Sequence, residues 1–140
     1  MPIWKRTFTP AELERHARNT IIESLGIKIM GIGDDYLKAS MPIDHRTHQP
    51  LGILHGGASV VLAETVGSTA ANMMVDVGYY AVGLDINANH LRSVREGLVY
   101  AIARPIHIGR TTQVWDIRID DEDDRPVCIS RLTMAVLKTP

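Results

Sequence analysis

Between residues 58 and 74 apolar side chains fall on nearly every face of a 3.6-residue period, which predicts one long helix buried all round. Something must wrap it. Downstream, residues 81–91, 98–108, 112–120 and 127–137 read as strands. In the first of these, Val82, Leu84, Ile86 and Ala88 alternate with Gly83, Asp85, Asn87 and Asn89, predicting one buried face and one wet face. The strands are separated by Arg95-Glu96-Gly97, by Gly109-Arg110 and by residues 121–126, and such short connections favour antiparallel pairing of successive strands. Upstream, residues 27–32 and 36–43 form two further strands around Gly33-Asp34-Asp35, a hairpin turn. Thr9-Pro10-Ala11-Glu12 is a capping box with proline at the first helical position, so a helix starts there and runs towards Asn19. A short turn over residues 20–25 follows and stops at Gly26.

A curved antiparallel sheet embracing a long central helix meets these demands, an α+β architecture over a single domain, residues 1–140. Strands of this length leave exposed edges, and pairing them across a two-fold would continue the sheet and hide them. A homodimer is expected.

Composition narrows the function. At 140 residues the chain has room for one core and no separate cofactor domain. Its net charge of −1 gives no basic footprint, so neither nucleic acid nor a membrane is an expected partner. Cys128 is the sole cysteine, which excludes an internal disulfide and a cysteine-clustered zinc site and suits a reducing cytoplasm. The N-terminus carries charges at Lys5 and Arg6 and no apolar run long enough for a secretion signal. No glycine-rich phosphate loop follows a strand, so no nucleotide cofactor is expected. His45 and His48 have ligand spacing but sit in a loop without a cysteine or carboxylate partner, and Asp120 to Asp124 lacks the glycine and glutamate of a calcium loop. No metal is expected.

Reactive groups concentrate between Gln49 and Ser68. Glu64 lies mid-helix among Val61, Leu62, Ala63 and Val66, where an ionised carboxylate costs several kcal/mol unless it is paired. It is either a carboxylate at the helix rim, a partner for a core histidine, or a nucleophile or general base. Ser68 follows at i+4, about 6 Å along the axis, within reach of that carboxylate or of a water held by it, though a small residue there also permits close packing. His55-Gly56-Gly57 stands where the helix begins, so free N–H groups and the positive helix end meet there, a ready place for an oxyanion. The same glycines also suit a tight loop-to-helix turn capped by His55.

Together, Gln49, His55-Gly56-Gly57, Glu64, Ser68 and the later Asn87-Ala88-Asn89-His90-Leu91-Arg92 resemble the hotdog thioesterases that act on aromatic acyl-CoA and acyl-carrier substrates. The likeness runs from Trp4-Lys5-Arg6 to Ser130-Arg131-Leu132, and is greatest to the dihydroxynaphthoyl-CoA thioesterases of menaquinone synthesis and to the thioesterases that proofread enterobactin assembly. It implies a catalytic Glu64, a thioester carbonyl held by the Gly56 amide with His55 nearby, Gln49 against the acyl unit and Ser68 orienting water. Leu51 stands where that family carries a phenylalanine. For coenzyme A, which is part of the substrate and not a cofactor, the resemblance favours two blocks of donors, His90-Leu91-Arg92-Ser93 and His107-Ile108-Gly109-Arg110-Thr111-Thr112, with Gly83 beside the thioester. The same blocks also read as a polar rim and a hairpin turn.

Given those roles, Gly56 and Glu64 lie eight residues apart on one helix, about 12 Å along its axis, and cannot both touch one carbonyl carbon. They must come from two protomers with antiparallel helices, giving a homodimer with two equivalent sites, and pairing of two such dimers into a homotetramer is expected. Other readings are a broader thioesterase for phenylacetyl-CoA or medium-chain acyl-CoA, a non-catalytic acyl-CoA binding module, and a hotdog dehydratase. Glu64 argues against the binder, and its place within the helix behind His55 argues against the dehydratase.

Overall fold

The computed structural model describes residues Met1–Pro140. The chain runs α1 (Pro10–Ala17), α2 (Ile21–Ser24), β1 (Lys28–Ile32), β2 (Leu37–Ile43), α3 (Gly56–Asn72), β3 (Tyr79–His90), β4 (Gly97–Ile108), β5 (Thr112–Asp120) and β6 (Pro126–Lys138). The capping box forms as read. The Thr9 hydroxyl accepts from Glu12 N–H at 3.1 Å and the Glu12 carboxylate accepts from Thr9 N–H at 2.7 Å. This helix ends at Ala17, two residues short of Asn19, which takes a left-handed φ of 60°. The first hairpin also forms, with β1 antiparallel to β2.

All six strands join one antiparallel sheet in the order β1-β2-β4-β5-β6-β3. The expected pairing of β3 with β4 is therefore wrong. β3 lies at the far edge on β6, and β4 returns to β2. Residues 91–96 do not make a tight turn. Extended, six residues reach about 20 Å, more than the roughly 14 Å of three strand spacings, so they cross the end of the sheet from one edge to its middle.

The central helix lies across the inner face of this sheet. Ala58, Ser59, Leu62, Ala63, Val66, Gly67, Ala70 and Ala71 are its buried positions, a stripe of neighbours repeating every four residues against Trp115, Ile117, Leu132 and Met134. Burying each large side chain contributes about 1.5–3 kcal/mol. Gly67 brings the two layers together, since a Cβ there would lie 2.6 Å from Leu132 Cδ2. The sheet covers only this stripe. Val60, Val61, Glu64, Thr65, Ser68, Thr69 and Asn72 form an open, half-buried face, so within one chain the helix is not buried all round as its composition predicts. It also starts at Gly56, two residues earlier than the apolar run.

β3 departs from simple alternation. A bulge between Gly83 and Asp85 adds a residue, and Val82 and Leu84 turn outward, 38% and 61% exposed, where alternation predicts them buried. Ala81, Gly83, Ile86 and Ala88 face the helix side instead, paired with Val136, Met134, Leu132 and Ser130.

At the N-terminus residues 1–8 form a strap. Trp4 stacks on Trp115 with ring centroids 6.2 Å apart and donates its indole N–H to Gly33 O at 2.7 Å. Lys5 and Arg6 N–H both donate to Met73 O, and Arg6 Nε donates to Asn72 O at 2.8 Å.

Candidate active site

The loop from Asp44 to His55 sets the start of α3. Thr47, buried, donates its hydroxyl to Pro42 O at 2.9 Å, and its carbonyl accepts His55 N–H at 2.8 Å. Gln49 N–H donates to Ile53 O and the Gln49 side-chain oxygen accepts Leu51 N–H, so the carboxamide braces its own loop and keeps its NH2 free. Leu51 is held 74% exposed at the loop tip, where Arg95 Nη1 donates to its carbonyl at 3.3 Å. His48 Nε2 donates to Arg95 O at 2.8 Å, and no three metal-capable side chains gather anywhere in the chain.

His55 is the N-cap of α3. Its Nδ1 accepts Gly57 N–H at 2.8 Å, and its carbonyl accepts from Ala58 and Ser59. The Gly56 N–H is left without an acceptor, at the positive end of a 17-residue helix. The His90 imidazole lies against this glycine, its Nε2 2.9 Å from where a Gly56 Cβ would stand.

Two turns along the helix, Glu64 is half-buried on the open face. Its carboxylate rests on the Gly83 backbone, and a Cβ at Gly83 would collide with Oε2. No polar side-chain atom of the chain is buried without a partner, so this carboxylate, which accepts no hydrogen bond from the protein, reaches solvent. Its place is at the rim of the helix and not within an apolar enclosure. Ser68 follows one turn on, half-buried, with its carbonyl accepting from Asn72 Nδ2 at 2.9 Å.

The residues singled out in the sequence thus fall into two clusters. His55, Gly56 and His90 gather at one end of β3, with Gln49 in the loop that leads to His55, and Glu64, Ser68 and Gly83 lie towards the other. The two blocks read for coenzyme A divide likewise. His90 ends β3 opposite Cys128, with Leu91, Arg92 and Ser93 exposed beyond it. His107, Ile108, Gly109, Arg110, Thr111 and Thr112 form the β4–β5 hairpin, where Thr112 pairs Ala135 and the His107 ring packs over Gly109. Cys128 and Ala135 are seven residues apart on β6, about 23 Å, so one chain does not unite the blocks.

The sequence reading missed a cavity of about 760 Å³ between the strap, α1, α2 and β1 on one side and Thr65, Ser68, Thr69 and Asn72 on the other. Its signal was present as polar residues spaced at three and four along an otherwise apolar helix. Asn72 also ties β3 to α3, accepting from Ala81 N–H at 2.9 Å and donating to Ala81 O at 3.1 Å.

The model of the thioesterase superfamily matches residues 51–128, more than half of the chain. The chain belongs to this superfamily. Its fold is the hotdog fold, here a central α3 on a six-stranded antiparallel sheet. A solved Gln-to-Ala variant of a Pseudomonas aeruginosa thioesterase is 54% identical, covering 98% of this chain and 99% of its own, with a TM-score of 0.95. The 1,4-dihydroxy-2-naphthoyl-CoA hydrolase of Escherichia coli is 50% identical over 96% of this chain and 99% of its own length. A Staphylococcus aureus thioesterase, solved as a Glu-to-Ala and as a Gln-to-Ala variant, is 36% identical with a TM-score of 0.82 for the first. That match covers 85% of this chain and 99% of the S. aureus one. No helix of this superfamily member is long and apolar enough to cross a membrane.

Proposed function

We propose that the protein hydrolyses thioesters of aromatic acyl groups, carried on coenzyme A or a carrier domain, to the free acid and thiol, in two equivalent sites each completed by a second copy of the chain. The observation that carries this reading is the division of the site into Glu64 with Gly83 and Gly56 with His90 at separate positions along an exposed edge strand. Antiparallel pairing of two β3 strands about a two-fold at Asn87 would set Gly83 opposite the partner subunit's His90, and so bring the partner subunit's Gly56 across from Glu64. In this register Ile86 faces the partner subunit's Ala88, and the bulge makes the pairing of Gly83 with the partner subunit's His90 side-consistent. The same operation covers Val60 and Val61, hides the β3 edge and carries His90–Ser93 to the level of the partner subunit's 107–112 hairpin.

In such a site the carbonyl oxygen accepts from the Gly56 N–H at the positive helix end, which stabilises the charge that develops on it. Glu64 either attacks the carbonyl carbon, giving a mixed anhydride that water then opens, or takes the proton of an attacking water. Both routes expel the thiolate. Ser68, one turn from Glu64, orients the water, and the free NH2 of Gln49 faces the acyl unit.

Two comparisons support the roles. The named substrate of the E. coli relative is an aryl thioester. The glutamine and glutamate replaced in the S. aureus thioesterase are fifteen residues apart, the spacing of Gln49 and Glu64.

The test is thiol release from benzoyl-CoA, 1,4-dihydroxy-2-naphthoyl-CoA and hexanoyl-CoA by wild type and Glu64→Ala. Aromatic turnover that falls at least about 100-fold in the variant is the expected result, in line with losing a general base. Equal rates for the two proteins would remove Glu64 from the chemistry, and a preference for hexanoyl-CoA would replace the aromatic assignment with a medium-chain one.

A further inference from the structure

We propose that the strap and α1, residues 1–17, roof the acyl chamber and set the largest acyl group the enzyme accepts. This rests on the thioesterase reading above, and adds a part of the chain that reading does not use.

The cavity beside α3 is bounded by Phe8 of the strap and Leu13 of α1 above, by Ile22 and Ile29 at the side, and by Thr65 and Ser68 of the helix below. Ser68 is the link. It stands one turn from Glu64 on the same open face, so an acyl group whose carbonyl lies at Glu64 points along the helix into this space. About 760 Å³ falls within the range of small-molecule pockets and exceeds the need of one aromatic ring, so the chamber fits a fused bicyclic acyl group.

Its roof stands off because of how it is attached. Trp4 and the Arg6 contacts with Met73 and Asn72 fix the strap, whereas α1 contributes no buried residue. Below α1 lie threonine and serine side chains of α3, which give an apolar helix face nothing to close on.

The comparison with the S. aureus thioesterase separates the roof from the chemistry. Its replaced glutamine and glutamate keep the spacing of Gln49 and Glu64 but lie seventeen residues nearer its N-terminus, and 99% of that chain is covered by 85% of this one. This chain thus carries a net seventeen residues more ahead of its glutamine, the combined length of the strap and α1.

The experiment compares kcat/KM for 1-hydroxy-2-naphthoyl-CoA with that for benzoyl-CoA. Leu13→Trp, which narrows the chamber from its roof, is expected to lower the naphthoyl-to-benzoyl ratio at least tenfold, and Leu13→Phe to lower it about threefold. Arg15→Ala, on an exposed position of α1 outside the cavity lining, leaves the ratio within twofold. An unchanged ratio in both Leu13 variants, or equal losses on both substrates, overturns the roof. Binding of 1-hydroxy-2-naphthoate, followed by its fluorescence, gives a second reading independent of turnover. Should wild type release no thiol, the thioesterase reading falls, and the roof then stands or falls on whether Leu13→Trp weakens naphthoate binding tenfold.

Discussion

Gly83 and His90 face the same side of β3 although seven positions separate them. In a regular strand an odd separation puts two residues on opposite faces. Here their ladder partners are Met134 and Cys128, both core residues six apart on β6, because the bulge between Gly83 and Asp85 absorbs one residue. That extra residue lets one strand carry the glycine under Glu64 and the histidine beside Gly56 on a single surface.

From this register, Asn87→Cys should give a disulfide-linked dimer under mild oxidation, seen on a non-reducing gel and abolished by a thiol reductant. Directly opposed residues of antiparallel strands lie about 4.5–5.5 Å apart at Cα, within disulfide range. Asn87 is exposed, and Cys128 is too buried to compete. Asn89→Cys, displaced from the axis, stays unlinked. The reverse pattern would move the two-fold and undo the proposed pairing of Gly56 with Glu64.

Gly83→Ala should separate activity from stability. The added methyl collides with Glu64 Oε2, so kcat falls at least tenfold with KM changed by less than threefold. The melting temperature holds or rises slightly, since replacing an exposed glycine by alanine commonly stabilises by about 0.4–1 kcal/mol through the unfolded chain. Steady-state kinetics beside a thermal melt decides it, and an undiminished kcat would show that the carboxylate does not depend on this contact.

His55→Ala removes the acceptor for Gly57 N–H and should cost about 1 kcal/mol, or about 4 °C in melting temperature for a chain of this size. His55→Asn keeps an oxygen acceptor at the cap and should recover most of that loss. Turnover falls in both, by less than in Glu64→Ala, because the Gly56 amide keeps its place at the helix end.

Acid should weaken the turn between β5 and β6 through Asp121. The Arg125 backbone N–H, then the Asp123 N–H and the Arg125 guanidinium, hold the Asp121 carboxyl below the usual carboxylate range against the opposing effect of burial. Asp44 is lowered in the same way, chiefly by the Arg46 side chain. A folded-state value below the unfolded one stabilises above the ordinary carboxylate pKa, and that contribution is lost as pH falls through the folded value. Asp121→Asn should therefore melt below wild type at neutral pH, with the gap narrowing below about pH 4. A gap independent of pH would assign the role of Asp121 to shape alone.

Local chemistry was legible in the sequence. The capping box at Thr9 and Glu12 and the hairpin at Gly33 each follow from residues within one or two turns of each other, whereas Gln49 and His55 stand apart from Glu64 and Ser68 in one chain. Strand order was not, because β3 and β4 choose partners across three strands, and residues 91–96 look like a turn until the distance they span is known. The start of α3 was read late since glycine is about 1 kcal/mol worse than alanine in a helix, and the His55 cap that offsets this for Gly56 and Gly57 is a tertiary detail. Apolar residues on every face of α3 predict burial all round, whereas Val60 and Val61 lie on the face that the sheet leaves open.

Three contacts around α3 are made where a side chain is missing: Gly67 against Leu132, Gly83 against Glu64 and Gly56 against His90. One methyl group, the smallest change a substitution can introduce, would have to displace the side chain it meets at each. The usual route by which a pocket drifts, a series of small tolerated replacements, is therefore closed in the middle of the site. Diversification is pushed outward to positions with slack, such as the exposed tip at Leu51 and the loosely seated α1, so relatives of this chain should vary in what they accept long before they vary in how they react.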